Sequence, residues 1–283
     1  KLDGDFRDHD IRLAEALGSL TGTAIKRQML LDSAVVRQRL ERDLKIAREI
    51  QEQLLPHDLP TIPGYDVAGW NKPAEETGGD LYDVMQLDTG HLAFMIADAT
   101  GHGIGPALIV GQCRAILRAL VGTSEDPVQI AIKTNNLLYH DLPDDRFVTC
   151  CFGVVHPTEH QLYYVSAGHA PLLLYRAATG ELDSRPSTGL PMGILLNPEM
   201  EVCGPIDLAP GDMFVLLTDG FMEWAREDGQ QYGEERLAEV IRRHCRLPCS
   251  ELIQAIYEDV RAFGAGSPQL DDLTAVLIKR CES

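Results

Sequence analysis

In the stretch GGDLYDVMQLDTGHLAFMIADATGHG, residues 78–103, acidic residues stand at both ends of a segment that reads as a β-hairpin. Asp88, Thr89 and Gly90 form its turn, glycine being free to take the positive φ that such loops usually demand. If the hairpin is regular about Thr89, Leu87 pairs with His91 and Asp80 lies opposite Asp98. Directly opposed strand residues have Cβ atoms roughly 4.5–5.5 Å apart, where like charges destabilise. A cation between them would offset that repulsion. The second half repeats the arrangement: MFVLLTD carries Asp219 as it leaves an apolar strand, and QLDDLTAVLIK carries Asp271 and Asp272 as it enters one. If those strands are antiparallel neighbours, the end of one meets the start of the other. Both acidic pairs then face one edge of the fold.

Carboxylate and water oxygens are the ligands of Mg²⁺ or Mn²⁺, whereas a zinc site recruits His or Cys, for which no ligand spacing is visible. Taken singly, each Asp also reads as a turn or cap residue; their recurrence at apolar strand ends argues for a shared role. Two hard cations about 3.5–4 Å apart would activate a water and clamp the oxygens of an in-line phosphoryl displacement. Neither a serine nucleophile elbow nor a catalytic cysteine signature is present, consistent with direct attack by water. His102 and His169 are candidates for protonating the leaving oxygen, because imidazole titrates near neutrality. The plainer alternative is that both are turn residues bonded to the backbone. Asp83 is a secondary candidate three residues beyond Asp80. Gly101, Gly103 and Gly105 superficially suggest a dinucleotide loop, but Pro106 follows where the last glycine should be.

These residues need a scaffold. From Thr23 to Leu55 there is no Gly or Pro, and Val36, Leu40, Leu44, Ala47, Ile50 and Leu54 recur at spacings of three and four. That pattern predicts a long amphipathic helix, suited to a coiled-coil linker and a parallel homodimer. Its last turn, with Ile50, Leu54 and Leu55, is expected to rest on the following domain and to regulate it. Beyond Pro56 come short apolar strands: YDVAGW, LYDVMQL, HLAFMIAD, FVTCCFGVV, QLYYVS, PLLLYR, MFVLLTD and LTAVLIK. Helices are expected at 106–120, at 127–138 capped by Asp126, at 234–245, and at 251–263 capped by Ser250. Strands in a meander alternating with helix pairs predict an α+β layered sandwich.

Twenty-five basic residues face 43 acidic ones, giving a formal net charge of −18, which disfavours nucleic acid and anionic lipid as partners. Seven cysteines without a C-x-x-C pair suggest no disulfide framework and a reducing cytosol. No apolar run is read as a bilayer span, and the N-terminus carries no signal-peptide pattern. The chain opens at Lys1 rather than Met, as an excised fragment would.

GGDLYD, IADATGHGIGPAL, SAGHAPLLLY, GLPMGI, LLTDGF and DDLTAVLIK, in that order, resemble the bacterial branch of the PPM (protein phosphatase 2C-like) serine/threonine phosphatases. The resemblance is closest to the sporulation-phosphatase E and sigma-B-regulator phosphatase group, whose leading helix is similar to AREIQEQLLP, and it runs from about Lys45 to Lys279. It implies an α-β-β-α sandwich of two antiparallel sheets over 56–281, with a linker helix over 23–55. Asp80, Asp98, Asp219 and Asp271, with the backbone carbonyl of Ala99, would hold two Mn²⁺ or Mg²⁺ ions, and Asp272 is the fallback for Asp271. The implied activity is metal-dependent dephosphorylation of phosphoserine or phosphothreonine, often on an anti-sigma-factor antagonist. No arginine beside GGDLYD matches the phosphate-holding one of eukaryotic relatives, so phosphate binding would rest on metals and waters. Residues 1–30 resemble the closing helix of a GAF sensory domain, the sensor itself being absent.

Overall fold

The computed structural model describes residues 7–124 and 126–281. The chain divides into two compact units between Ala47 and Arg48. That boundary falls within one helix, α1 (Asp8–Leu54), of 47 residues, about 70 Å long at 1.5 Å per residue. It starts well before Thr23 because it runs through Gly18 and Gly22. Each helical glycine costs about 1 kcal/mol relative to alanine, a small penalty against so many other turns. The described part of the GAF-like piece therefore lies in the same helix as the linker, and residues 1–6 lie outside the described residues. Leu17, Leu20, Met29, Val36 and Leu40 are all exposed along the first unit.

The second unit contains two five-stranded antiparallel sheets. In the first, the order is β1 (Tyr65–Lys72), β10 (Leu273–Arg280), β9 (Met213–Leu217), β6 (Leu172–Arg176) and β7 (Glu181–Arg185). In the second it is β2 (Asp80–Gln86), β3 (Leu92–Ala99), β4 (Val148–His156), β5 (Gln161–Ala167) and β8 (Cys203–Asp207). Alternation along the strands sorts the cores. Tyr82, Val84, Phe94 and Ile96 meet Leu174, Phe214, Leu216 and Val276 between the sheets. Leu81, Ala93, Met95 and Phe152 face the other way, onto α2 (Ile104–Val121) and α3 (Pro127–Asp141). Val215, Leu217 and Leu273 face α5 (Gly233–His244) and α6 (Cys249–Gly264), with Phe221 of the one-turn α4 (Gly220–Glu223) in the same cluster. The result is the expected α-β-β-α sandwich.

Two expectations need correction. Ser250 does not cap α6; the helix starts two residues before the expected Glu251, at Cys249, whose N–H donates to Asp66 Oδ2 on β1 at 2.8 Å. The cap comes from tertiary structure, which local sequence does not display. Secondly, α2 is long and apolar enough, by length and composition, to cross a bilayer. Its packing explains its composition: Val110, Cys113, Leu117 and Val121 are core residues against the second sheet, and Arg114 is buried in an ion pair with Asp83. Asp126 caps α3 as expected, accepting from the N–H groups of Val128 and Gln129.

Candidate metal centre

The hairpin forms in the expected register. Leu87 N–H donates to the His91 carbonyl at 2.8 Å, Gly90 takes φ 84°, and Asp80 is paired across the strands with Asp98. In the other sheet β9 and β10 are antiparallel neighbours with Leu217 opposite Ala275, and Thr218 N–H donates to the Thr274 carbonyl just beyond. Asp219 and Asp271 are thereby delivered to the same edge as Asp80 and Asp98, one acidic pair from each sheet.

Electrostatics show how closely they converge. Asp80 is 3% exposed, and burial first, then the charges of Asp98 and Asp272, push its pKa well above the usual carboxylate range. Thr218 Oγ1 donates to Asp80 Oδ2 at 2.8 Å and partly offsets this. Asp98 is pushed up to about 7, by burial first and then by Asp219, Asp271 and Asp272. Asp219 is raised by burial, Asp271 and Glu223. Asp98, paired with Asp80 on its own sheet, therefore also feels the acids of the other sheet.

The two adjacent aspartates of the last motif separate in role. Asp272 Oδ1 accepts from Ala74 N–H at 2.7 Å, and its Oδ2 occupies the space that a Cβ on Gly78 would need. It holds the loop that leads into Asp80. Carboxylate oxygens of Asp271, Asp219 and Glu223 instead lie within 4.8 Å of one another, an all-oxygen group able to hold a cation. Asp271 thus groups with Asp219 and Glu223, while Asp272 is engaged with the backbone. The Ala99 carbonyl lies against Gly79, where a Cβ would stand 2.6 Å from it, and Ala99 N–H donates to the Gly79 carbonyl. The donor chemistry of this edge, carboxylates with a backbone carbonyl, fits a hard divalent cation.

Other candidates lie elsewhere. Asp83 is fully buried on the opposite face of β2, in ion pairs with Arg114 Nε at 3.0 Å and Arg118 Nε at 3.4 Å; strand alternation turns it from the centre toward α2. His169 is buried too, its Nδ1 3.2 Å from Thr149 Oγ1, and burial lowers its pKa to about 4. Burial thus disfavours the protonated ring, and the side chain braces Thr149, the cross-strand partner of Asp98. His102 stands exposed on the loop after Ala99, with Nδ1 3.3 Å from Glu75 Oε1. Trp70 and Trp224 pack in or against the core beneath α6. Arg146 was not anticipated. Its Nη1 donates to the Thr100 carbonyl at 2.5 Å and fills the space beside Gly101, which has φ +96°.

Gln51 was also missed. At the end of α1 its Nε2 donates to the Gly78 carbonyl at 2.7 Å and its Oε1 accepts from Gly78 N–H at 3.1 Å. Leu54 packs against Gly111 of α2, and Leu55 reaches the core. Ile50, expected on the domain, is 59% exposed. The last helical turn thus engages the GGD loop through a polar side chain that an apolar-stripe pattern passes over.

The raised pKa values carry a prediction. Between the ordinary 3.8 and about 7, folded metal-free protein retains a proton on Asp98 that the unfolded chain has released. Stability of the metal-free protein therefore falls as pH rises through that window, since the native state binds more protons there. A bound cation replaces those protons, so metal affinity rises with pH over the same range. Thermal melts in chelator from about pH 5 to about pH 8 should show a declining midpoint, and added Mn²⁺ should raise it most at the alkaline end. A metal-induced rise independent of pH would contradict this.

The sandwich is the PPM phosphatase fold. Of the solved structures, the SiaA-PP2C domain of Pseudomonas aeruginosa superposes with a TM-score of 0.75 at 25% identity, covering 87% of this chain and 99% of that one. The family described as Stage II sporulation protein E (SpoIIE) matches residues 88–281, and the chain belongs to that family. Protein IcfG of Synechocystis sp. is 26% identical over 84% of this chain, which spans 41% of its length. Phosphoserine phosphatase RsbU of Bacillus subtilis is 26% identical over 87% of this chain and 72% of its own.

Proposed function

We propose that this chain is a metal-dependent protein phosphatase acting on phosphoserine or phosphothreonine, with Asp80, Asp98, Asp219, Asp271 and the Ala99 carbonyl holding two Mn²⁺ or Mg²⁺ ions. The observation that carries this reading is the convergence of an acidic pair from each sheet on one edge. Two such ions supply an activated water and neutralise charge on the transferring phosphoryl group. Asp98 links its own pair to the acids of the other sheet, whose charges it feels; Thr218 orients Asp80, and Arg146 orders the loop that follows Ala99. His102 is the remaining histidine for protonating the leaving serine oxygen. The name of RsbU, a phosphoserine phosphatase, supports the substrate class. An anti-sigma-factor antagonist is the proposed partner, and the net charge of −18 argues against nucleic acid. Seven free cysteines support a cytosolic setting.

Phosphate release from a phosphoserine protein, a cyclic dinucleotide and an aryl phosphate, each with Mn²⁺ and then with chelator, tests this reading. Metal-dependent turnover of the phosphoprotein is expected. Turnover of the dinucleotide alone would replace it with a two-metal phosphodiesterase, and metal binding with no turnover would make the chain an inactive phosphoprotein-binding scaffold.

Regulation follows from α1. Its exposed apolar residues, from Leu17 to Leu40, support a parallel homodimer, and Gln51 and Leu54 connect its last turn to the GGD loop and α2. Leu40→Glu with Leu44→Glu should yield a monomer with altered Mn²⁺-dependent turnover, read by mass in solution and by assay. Unchanged mass would remove the dimer, and a monomer of unchanged turnover and metal affinity would remove the coupling.

A further inference from the structure

The far end of the β2–β3 hairpin carries a different donor set. His91 directly precedes β3, and the pairing of Leu92 with Val155 places it beside His156 at the end of β4. The two imidazoles lie 4.0 Å apart, inclined by 10°. Glu159, in the turn between β4 and β5, brings a carboxylate oxygen to them, and ligand atoms of all three residues lie within 4.8 Å of one another. Seven residues along one strand separate His91 from Asp98, about 23 Å at 3.3 Å per residue. This cluster is therefore independent of the carboxylate edge.

We propose that His91, His156 and Glu159 form a second metal site, selective for Zn²⁺. Two imidazoles and a carboxylate match zinc, whereas Mg²⁺ and Mn²⁺ prefer the all-oxygen edge. Tetrahedral ligation with bonds of about 2.0–2.2 Å requires the three ligand atoms to draw closer and the stacked rings to splay, so the half-buried imidazoles and the exposed Glu159 must rotate on binding. Three protein ligands leave one position open. His91 and His156 also line a cavity of about 740 Å³ together with Arg118, Thr123, Ser124 and Tyr163. The open position can take water or an anionic group entering from that cavity. Zinc here would tie the start of β3 to the end of β4 and to the β4–β5 turn.

The test is Zn²⁺ titration of the full chain in excess Mg²⁺, which occupies the carboxylate edge. It is run in a Cys281→Ser background, because that thiol is exposed and would also bind zinc. One equivalent should bind and raise the melting midpoint. His91→Gln and Glu159→Gln should each weaken binding by at least about tenfold, since loss of a partner one shell further out already costs that much. Their midpoints without zinc report whether they fold. Asp98→Asn should bind this equivalent unchanged. No binding to the parent chain, or undiminished binding by folded His91→Gln, overturns the proposal; loss of binding in Asp98→Asn would assign the zinc to the carboxylate edge instead.

Discussion

Asp219→Asn lowers metal-dependent phosphate release by at least about a hundredfold, because removing an outer-shell partner of a bound metal already costs about 10–100-fold and Asp219 is proposed as a direct ligand. The residue sits where β9 ends and a one-turn helix, Gly220–Glu223, begins. Burial and the charges of Asp271 and Glu223 raise its pKa, so an amide of the same shape relieves repulsion. The variant should therefore fold, and in chelator it should melt at or above the parent's midpoint. Loss of turnover with retained melting identifies a ligand. Near-normal turnover at saturating Mn²⁺ would remove Asp219 from the centre, and a collapsed melting transition would make its role structural.

Gly79→Ala should have a comparably large effect for a steric reason. A Cβ on Gly79 would lie 2.6 Å from the Ala99 carbonyl oxygen and 3.3 Å from both the Gly101 carbonyl and Pro106. The nearest atom is backbone and has no rotamer to escape into, so either the GGD strand or the loop after Asp98 must move. Overpacking of this kind costs about 1–3 kcal/mol, and here the displaced atoms belong to the proposed coordination sphere. Metal affinity should fall by about tenfold or more, beyond any loss of folding stability. Gly105→Ala is the control, since a Cβ there meets nothing within 4 Å. Titration calorimetry with Mn²⁺ on both variants checks this, and equal affinities would show that the Ala99 carbonyl is not held where coordination needs it.

The placement of the four carboxylates was legible because they stand at strand ends. The Asp-Thr-Gly turn sets the hairpin register, and that register alone opposes Asp80 to Asp98. Two of the ten strands among the described residues were not legible. β7, Glu-Leu-Asp-Ser-Arg, is mostly polar, and β8 carries Gly204 and Pro205; both are edge strands with one unpaired side and little need for apolar residues. Glu223 had a signal that went unused, the four-residue spacing from Asp219 that stacks side chains on one helical face. Gln51 had none, because its partner Gly78 is 27 residues away in a loop. Ile50 belongs to the apolar stripe of α1 but is exposed, whereas Leu54 of the same stripe and Gln51 face the domain. His91 and His156 become neighbours only through the β3–β4 register, so no sequence spacing displays them.

Phosphate release from a phosphoserine-bearing antagonist protein, followed as Mn²⁺ is titrated into chelator-stripped chain, tests the central claim most directly. Turnover should be absent without metal, rise to saturation with Mn²⁺, vanish on renewed chelation and be at least about a hundredfold lower for Asp219→Asn at every metal concentration. Equal release in the presence of chelator, or no release at saturating metal from a folded parent chain, would contradict it.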